Sequence, residues 1–564
     1  MIASYRAELA TSQARLMELL GAKPESRHVR AVLTLLSNVA HIFVYLSGNQ
    51  RHLGRDDLGA QRVVWRDGAP LWREALRWLR SCDSSDDDIE SARWEWIAQL
   101  DAQIAADDAG FVAEVAHQRG MLAARLDAVS TQRSALLERL GANDVDAGAD
   151  ALFFRLIGST RDAGTRSKLA QAWERPVRMA GPELVALADE LVQINQRAAA
   201  HRGHSSALDA TFTACSISVD DAAAFVHAYL DNAVAGHRRL VQRMGDLFGA
   251  PGDPMAHWAH YLRARGQGRP LPRFALDRCL HVAAKVAERA TGARVELESI
   301  DPDVIVFEVR DASGRRGRIL VDIIGSSASS VARAVPDPTL PVGRALARCR
   351  SDKGGPAVLG FEAAQSLFHE FGHALSHVLV GGVLAGPSGL SAVPAERLEE
   401  LSEWFEKWVY TAAFDGVAES DASSDEALDL CRTIKRLDFL STHLHRAVVA
   451  AIDVAGHVDP ASSLQECFDH LDATHDIAQH CELSELVGYL TSPMARGHPG
   501  LALVYPWGYA FGAGAAPHQD SSIDDARGVL RVGGTINRSV DHAAPFAPPD
   551  PRAVLRWQEE GLAW

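Results

Sequence analysis

Basic charge is scarce in this sequence: 57 Lys and Arg stand against 73 Asp and Glu, a formal net charge of -16 over 564 residues. Such a surface repels phosphate backbones, which argues against nucleic acid as a partner. Long apolar runs are also wanting. The most apolar early stretch, Val32 to Leu46, contains Asn38 and His41 and is too short to span a bilayer. The opening residues, Met1-Ile-Ala-Ser-Tyr-Arg-Ala-Glu, have neither the basic start nor the apolar run of a signal peptide. Cysteine is sparse and dispersed: Cys82, Cys215, Cys279, Cys349, Cys431, Cys467 and Cys481 stand singly, with no CxxC pair. An odd, scattered set reads as reduced thiols. These absences together predict a soluble, cytoplasmic protein with no nucleic-acid or membrane partner.

What is present is ample core. Hydrophobic residues make up 47% of the chain, and its length suggests two or more domain-sized units. Up to about residue 150 the apolar positions recur at three- and four-residue spacing, as in Leu16, Leu19, Leu20 and Val32, Leu33, Leu35, Leu36, Val39. That is the helical period. Trp65, Trp72, Trp78, Trp94 and Trp96 read as bulk for helix packing rather than as a ligand site. The acidic run Asp83 to Asp88 reads as a solvated loop, since EF-hand spacing is absent. An Asp/Gly/Ala-rich stretch from Ala142 to Ala149 marks a boundary between an N-terminal helical region, 1–150, and a second region, 151–564. The β-branched run Val304 to Val309, the turn Asp311-Ala312-Ser313-Gly314 and the run Arg318 to Ile323 predict one hairpin.

The chemistry gathers in a helix predicted over Phe361 to Val380. His369 and His373 are four apart and share a face, where two imidazoles can take one zinc ion. Glu370 is suited to polarise a water and take its proton. Gly372 in mid-helix is unfavourable by roughly 1 kcal/mol relative to Ala, which suggests close approach of another backbone or of substrate. The bland alternative is a pair of ordinary histidines on an ordinary helix. A third ligand is needed. His377 lies roughly 12 Å along the axis from His369, too far for one ion. The HExxHxxGxxH arrangement is excluded by Ser376 and Leu379. There remains a carboxylate on a following helix, where Glu399, Glu400, Glu403 and Glu406 all qualify by position. Any one of them could equally lie on a solvated face.

The run Phe368-His369-Glu370-Phe371-Gly372-His373-Ala374-Leu375-Ser376-His377 resembles the signature of the thimet oligopeptidase and oligopeptidase F family, with its HEFGHxxH core. That family's second helix has the form VExPSQxxExW, and Leu398 to Trp408 is similar to it. The resemblance implies Glu399 as the third zinc ligand and Glu406 as the carboxylate that orients a ligand histidine. Leu401 replaces the family's Pro, and Glu403 its Gln. Leu191 to His204 is similar to the family's RxxxAxxxGx segment. His498, Tyr505 and Tyr509 resemble its groups for the substrate carbonyl, with Trp507 in place of a middle Tyr. Without the resemblance, the two tyrosines read as core aromatics.

What the resemblance implies is a mainly α, elongated, two-lobed metallopeptidase with a deep central channel and a small β-sheet flanking the cleft. It further implies one Zn2+ per chain, held by His369, His373 and Glu399, with Glu370 as general base. The activity implied is hydrolysis of short oligopeptides by a zinc endopeptidase, as a monomer or weak homodimer. Two rivals keep the same scaffold: a peptidase dedicated to one precursor or leader peptide, and a non-catalytic peptide-binding protein, which would have no need of Glu370.

Overall fold

The computed structural model describes chiefly residues 2–36, 71–100, 110–141, 152–248, 272–322, 342–346, 358–379, 395–415, 425–478, 481–490, 499–526 and 548–561, with short gaps inside several of these. The acidic run at 83–88, the glycine-rich stretch 381–389, the boundary at 142–149 and His498 fall outside the described residues. The protein is mainly helical with a small sheet. Among the described residues no helix is long and apolar enough to cross a membrane.

The chain divides into two compact units of interleaved segments. Unit 1 comprises Met1–Ala109, Pro272–Asp421 and Phe511–Pro545; unit 2 comprises Gly110–Leu271, Ala422–Ala510 and Phe546–Trp564. The compact units are thus a different division of the chain from a single cut near residue 150.

In unit 1 the early helical period builds a core of its own. Leu16, Leu20, Val32, Leu33 and Leu36 are buried with Trp72, Trp78 and Trp96. Trp94 departs from the expected tryptophan core: it is 56% exposed. Its indole packs under the Arg93 guanidinium, 4.6 Å away, and donates to Glu90. A partly solvated indole with a cation on its face has no need of the interior.

The predicted hairpin is present within a larger sheet. The strands of unit 1 are β1 (Phe274–Ala275), β2 (Arg294–Ile300), β3 (Val304–Arg310), β4 (Arg316–Asp322), β5 (Val342–Leu346) and β6 (Val358–Leu359). β2, β3 and β4 run antiparallel in that order, β5 adds in parallel to β4, and β1 pairs separately with β6. In β3 the alternation puts Ile305, Phe307 and Val309 inward, as a sheet with one packed face requires. Phe307 meets Phe371 edge to face at 5.9 Å, so this sheet face lies on the helix Phe361–Leu379.

That helix is buried on nearly every side, from Phe361 and Leu367 to Phe371 and Leu375. A helix covered all round is held by its neighbours rather than by amphipathicity. Its register is therefore set by contacts at several azimuths, and the polar side chains on it are placed accordingly.

In unit 2 the helices Phe111–Arg139, Ala163–His201, Val219–Phe248 and Asp425–Val458 supply the main body. The segment that resembles RxxxAxxxGx ends the second of these. Gln196 there donates to the His457 carbonyl at 3.0 Å and accepts from the Ala207 N–H at 2.8 Å. One buried amide thereby ties the ends of two long helices to the start of the short helix Ala207–Phe212, each polar atom satisfied.

Candidate active site

His369 and His373 project from the Phe361–Leu379 helix with ring centroids 4.9 Å apart. Facing them is the short helix Glu400–Glu406, entered through Glu399 as its N-cap. The two helices approach unusually closely. A Cβ at Gly372 would sit 2.8 Å from Ser402 Cα and 2.9 Å from the Leu401 carbonyl oxygen. The glycine is thus explained by backbone approach. On its other side the short helix meets Gly512, where a Cβ would lie 2.9 Å from both the carbonyl carbon and the Cβ of Glu403. Trp404 adds a hydrogen bond from Nε1 to the Ala515 carbonyl at 2.9 Å.

The four candidate glutamates separate by partner. Glu399 Oε2 lies 3.3 Å from His369 Nε2 and 3.0 Å from His373 Nε2, and accepts from Ser402 Oγ at 2.8 Å. Glu400 is engaged by the Arg397 guanidinium at 2.9 to 3.0 Å. Glu403 Oε2 takes the Lys407 ammonium at 3.2 Å. Glu406 Oε2 lies 3.2 Å from His369 Nδ1, and its other oxygen accepts from Gln365. Position alone left four choices, and only Glu399 faces both imidazoles. Among the described residues, the side chains of His369, His373 and Glu399 bring one ligand atom each within 4.8 Å of one another. His377 is fully buried and outside that group. Glu370, beside His369 on the helix, is buried as well.

The electrostatics follow from these pairings. Burial alone would depress His369, but its hydrogen bonds to Glu399 and Glu406 hold it well above the usual imidazole range. Burial would raise Glu399, but the two imidazoles keep it well below the carboxylate range. Burial and the neighbouring charge of Glu406 push Glu403 up to about 7. For Glu406, the Lys407 charge and the bond to His369 outweigh burial and bring it to about 2. Neighbouring carboxylates shifted in opposite directions are one of the features by which candidate functional sites are found.

The donor set fits a zinc ion. Two Nε2 atoms converge on one carboxylate oxygen, and His369 Nδ1 is occupied from behind by Glu406, which leaves Nε2 for an ion. Two borderline imidazoles with one hard carboxylate match, in type and number, the ligands of zinc sites that keep a position open.

Gln365, Arg397, Ser402, Lys407 and Tyr410 were not singled out by sequence reading. Gln365 is one turn before His369, Ser402 three residues after Glu399, and Lys407 four after Glu403, so helical spacing carried the signal.

Tyr505, Trp507 and Tyr509, the other described residues of the segment singled out by the resemblance, lie in unit 2. Gly500, at φ +84°, enters a turn Leu501–Leu503 and then the helix Val504–Gly514. A Cβ at Gly500 would collide with Leu208. Asp453 anchors the turn through the Ala502 N–H at 2.9 Å. Trp507 is fully buried against Phe225. The Arg446 guanidinium lies over Tyr505 at 4.5 Å and over Tyr509 at 5.4 Å.

Residues 156–480 match the family model of Peptidase family M3. This chain belongs to that family. The likeness read from the HEFGHxxH signature is therefore shown. This M3 chain is 28% identical over 158 residues to oligopeptidase A of Salmonella typhimurium, a stretch covering 25% of this chain and 23% of that protein. It is 23% identical over 260 residues to organellar oligopeptidase A of Arabidopsis thaliana, 40% of this chain and 33% of the relative. The matches thus span about a quarter to a third of these relatives' lengths. The fold is shared more widely. The structure of PZ peptidase A with inhibitor 2 superposes with a TM-score of 0.56 at 12% identity, over 99% of this chain and 96% of that one.

Proposed function

We propose that this M3 chain is a zinc-dependent endopeptidase of short oligopeptides in the cytoplasm, with its catalytic region in residues 151–564. The observation that carries this reading is the convergence of His369 Nε2 and His373 Nε2 on Glu399 Oε2, at 3.3 and 3.0 Å, with Glu370 next to the first ligand. His369, His373 and Glu399 would hold the ion. When bound, zinc supplies a Lewis acid that polarises water and the peptide carbonyl.

The chain's own residues do the rest. The Glu370 carboxylate takes the proton of the attacking water and returns it to the leaving amine nitrogen. Glu406 accepts from His369 Nδ1 and fixes that ring's tautomer and direction. Ser402 Oγ holds the Glu399 carboxylate by one oxygen. The family resemblance assigns the hydroxyls of Tyr505 and Tyr509, with His498, to the substrate's carbonyl oxygen, where a donor stabilises developing negative charge.

Turnover of a panel of quenched peptides by the zinc-loaded wild type and by Glu370→Gln tests the reading. The wild type is expected to cut several unrelated short peptides, and the variant to be slower by about 10²–10⁴-fold. Equal, negligible rates over the whole panel would favour a non-catalytic binder. Cleavage confined to one sequence would favour a dedicated processing enzyme.

A further inference from the structure

We infer that Lys407, acting with Glu403, is a positioning residue of the metal centre: it engages one of two carboxylates that face His369 Nδ1 and so reserves the other, Glu406, for that ring. The inference rests on His369 being a ligand, as proposed above.

An imidazole Nδ1–H donates well to one acceptor, yet two carboxylates lie at this nitrogen. Glu406 Oε2 is at 3.2 Å and Glu403 Oε1 at 3.6 Å. The first is within hydrogen-bond range and the second beyond it. What separates them is the ammonium of Lys407, 3.2 Å from Glu403 Oε2 and 3.7 Å from Glu406 Oε1. Gln365 also donates to Glu406 Oε1, and lies 3.2 Å from the Tyr410 hydroxyl.

Neither the Lys407 nor the Glu403 head can escape to water. Exposure of the Lys407 and Glu403 side chains is 2% and 3%. Nor can Glu403 withdraw with its backbone, which is pinned against Gly512 and, through Ser402, against Gly372. A buried ion pair is weak grounds for stability, because desolvation offsets most of its attraction. One of whose members reaches both carboxylates behind a ligand is better read as setting geometry. The family frame has Gln where this chain has Glu403. The acid here comes with a lysine one turn on, and the pair keeps Glu406 free for His369.

The charges also state what each substitution does. Glu403→Gln removes the nearer of the two carboxylates at the ammonium, which draws Glu406 off His369. Lys407→Met leaves Glu403 beside His369 and Glu406 without its cation. In either case the ring loses its fixed partner. Removing both charges together restores the single carboxylate at Nδ1.

The test is a cycle of wild type, Glu403→Gln, Lys407→Met and the double variant, read as zinc dissociation constants by chelator competition, with melting of the metal-free proteins alongside. Each single variant is expected to bind zinc about 10–100-fold more weakly, the usual effect of disturbing a ligand's orienting partner. The double variant should return to within about threefold of wild type. Unchanged zinc affinity in both singles, with only melting shifted, would make the pair purely structural and overturn the inference. So would additive losses in the double variant. His369→Ala separates this from the broader reading. If that variant binds zinc like the wild type, the ligand assignment fails. If it loses zinc while the cycle shows no coupling, the role of Lys407 alone fails.

Discussion

The helix pair at His369 and the helix Val504–Gly514 are built on opposite principles. In the first, buried charges are distributed until each acid of the short helix has its own partner: Glu399 the imidazoles, Glu400 Arg397, Glu403 Lys407, Glu406 His369. In the second, aromatic rings pack: Trp507 against Phe225, and Tyr505 and Tyr509 under one guanidinium. Of these pairs, Glu400 with Arg397 and Glu403 with Lys407 sit at i,i+3 and i,i+4 and can be read in sequence, whereas the pairs with the histidines cross between helices. Rings declare only that they are apolar. The difference teaches which parts of such a site can be read without coordinates.

The sharpest way to break the comparison is to delete one member from each side. His373→Ala should abolish stoichiometric zinc, measured by metal analysis after dialysis, while melting of the metal-free protein shifts little. Trp507→Ala should do the reverse, lowering stability by about 3–5 kcal/mol as a large buried ring is lost, with zinc stoichiometry intact. If Trp507→Ala loses its zinc while still folded, the two regions are not separable in this way.

A smaller effect is expected at the helix contact. Gly372→Ala gains roughly 1 kcal/mol of helix propensity. The new Cβ would meet backbone at 2.8 and 2.9 Å, and backbone does not yield as a side chain would. Overpacking of this kind is unfavourable by about 1–3 kcal/mol, so the net change should be lower stability in denaturant unfolding and weaker zinc binding. A more stable variant with unchanged affinity would show that the close approach is unimportant.

The smallest and most graded effect is with pH. In the metal-free protein the raised His369 pKa contributes stability that is complete below its ordinary value of 6.5 and lost as pH rises through the folded value. Glu406 acts oppositely: its contribution is present above the ordinary 4.5 and lost as pH falls through about 2. Glu403, at about 7, opposes folding once pH rises from 4.5 through 7. Metal-free melting temperatures should therefore fall between pH 5 and 8. Zinc affinity should rise over the same range, because binding displaces the His369 proton. A flat affinity profile would contradict the pairing of His369 with these carboxylates.

How much was legible follows the same division. The spacing of His369 and His373 and the need for a carboxylate could be read from the chain, and so could a close approach at Gly372, though not whether of backbone or of substrate. Which glutamate faces the pair could not be read from position, since residues 399, 403 and 406 follow the i, i+4, i+7 spacing of one helix face and 400 lies beside it. The family frame pointed to Glu399, whose Oε2 lies 3.3 Å from His369 Nε2 and 3.0 Å from His373 Nε2. The hairpin at β3 and β4 was visible in its β-branched residues. β2 was not, because Arg294-Val-Glu-Leu-Glu-Ser-Ile carries mixed polarity on both faces, with Val295 alone among its side chains fully buried. β5, Val342-Gly-Arg-Ala-Leu, is short and pairs in parallel, a partnership that no local pattern signals. The tyrosines at 505 and 509 read as core aromatics without the family. Tyr509 is indeed buried.

The two glycines that flank the Glu400–Glu406 helix have a consequence for ion choice. Gly372 and Gly512 let main chain touch main chain on both sides of the segment that follows Glu399. The separation of the helix backbones is thus set by main-chain contact, a spacer of fixed thickness, and only the side chains of His369, His373 and Glu399 are left to adjust to the size of an ion.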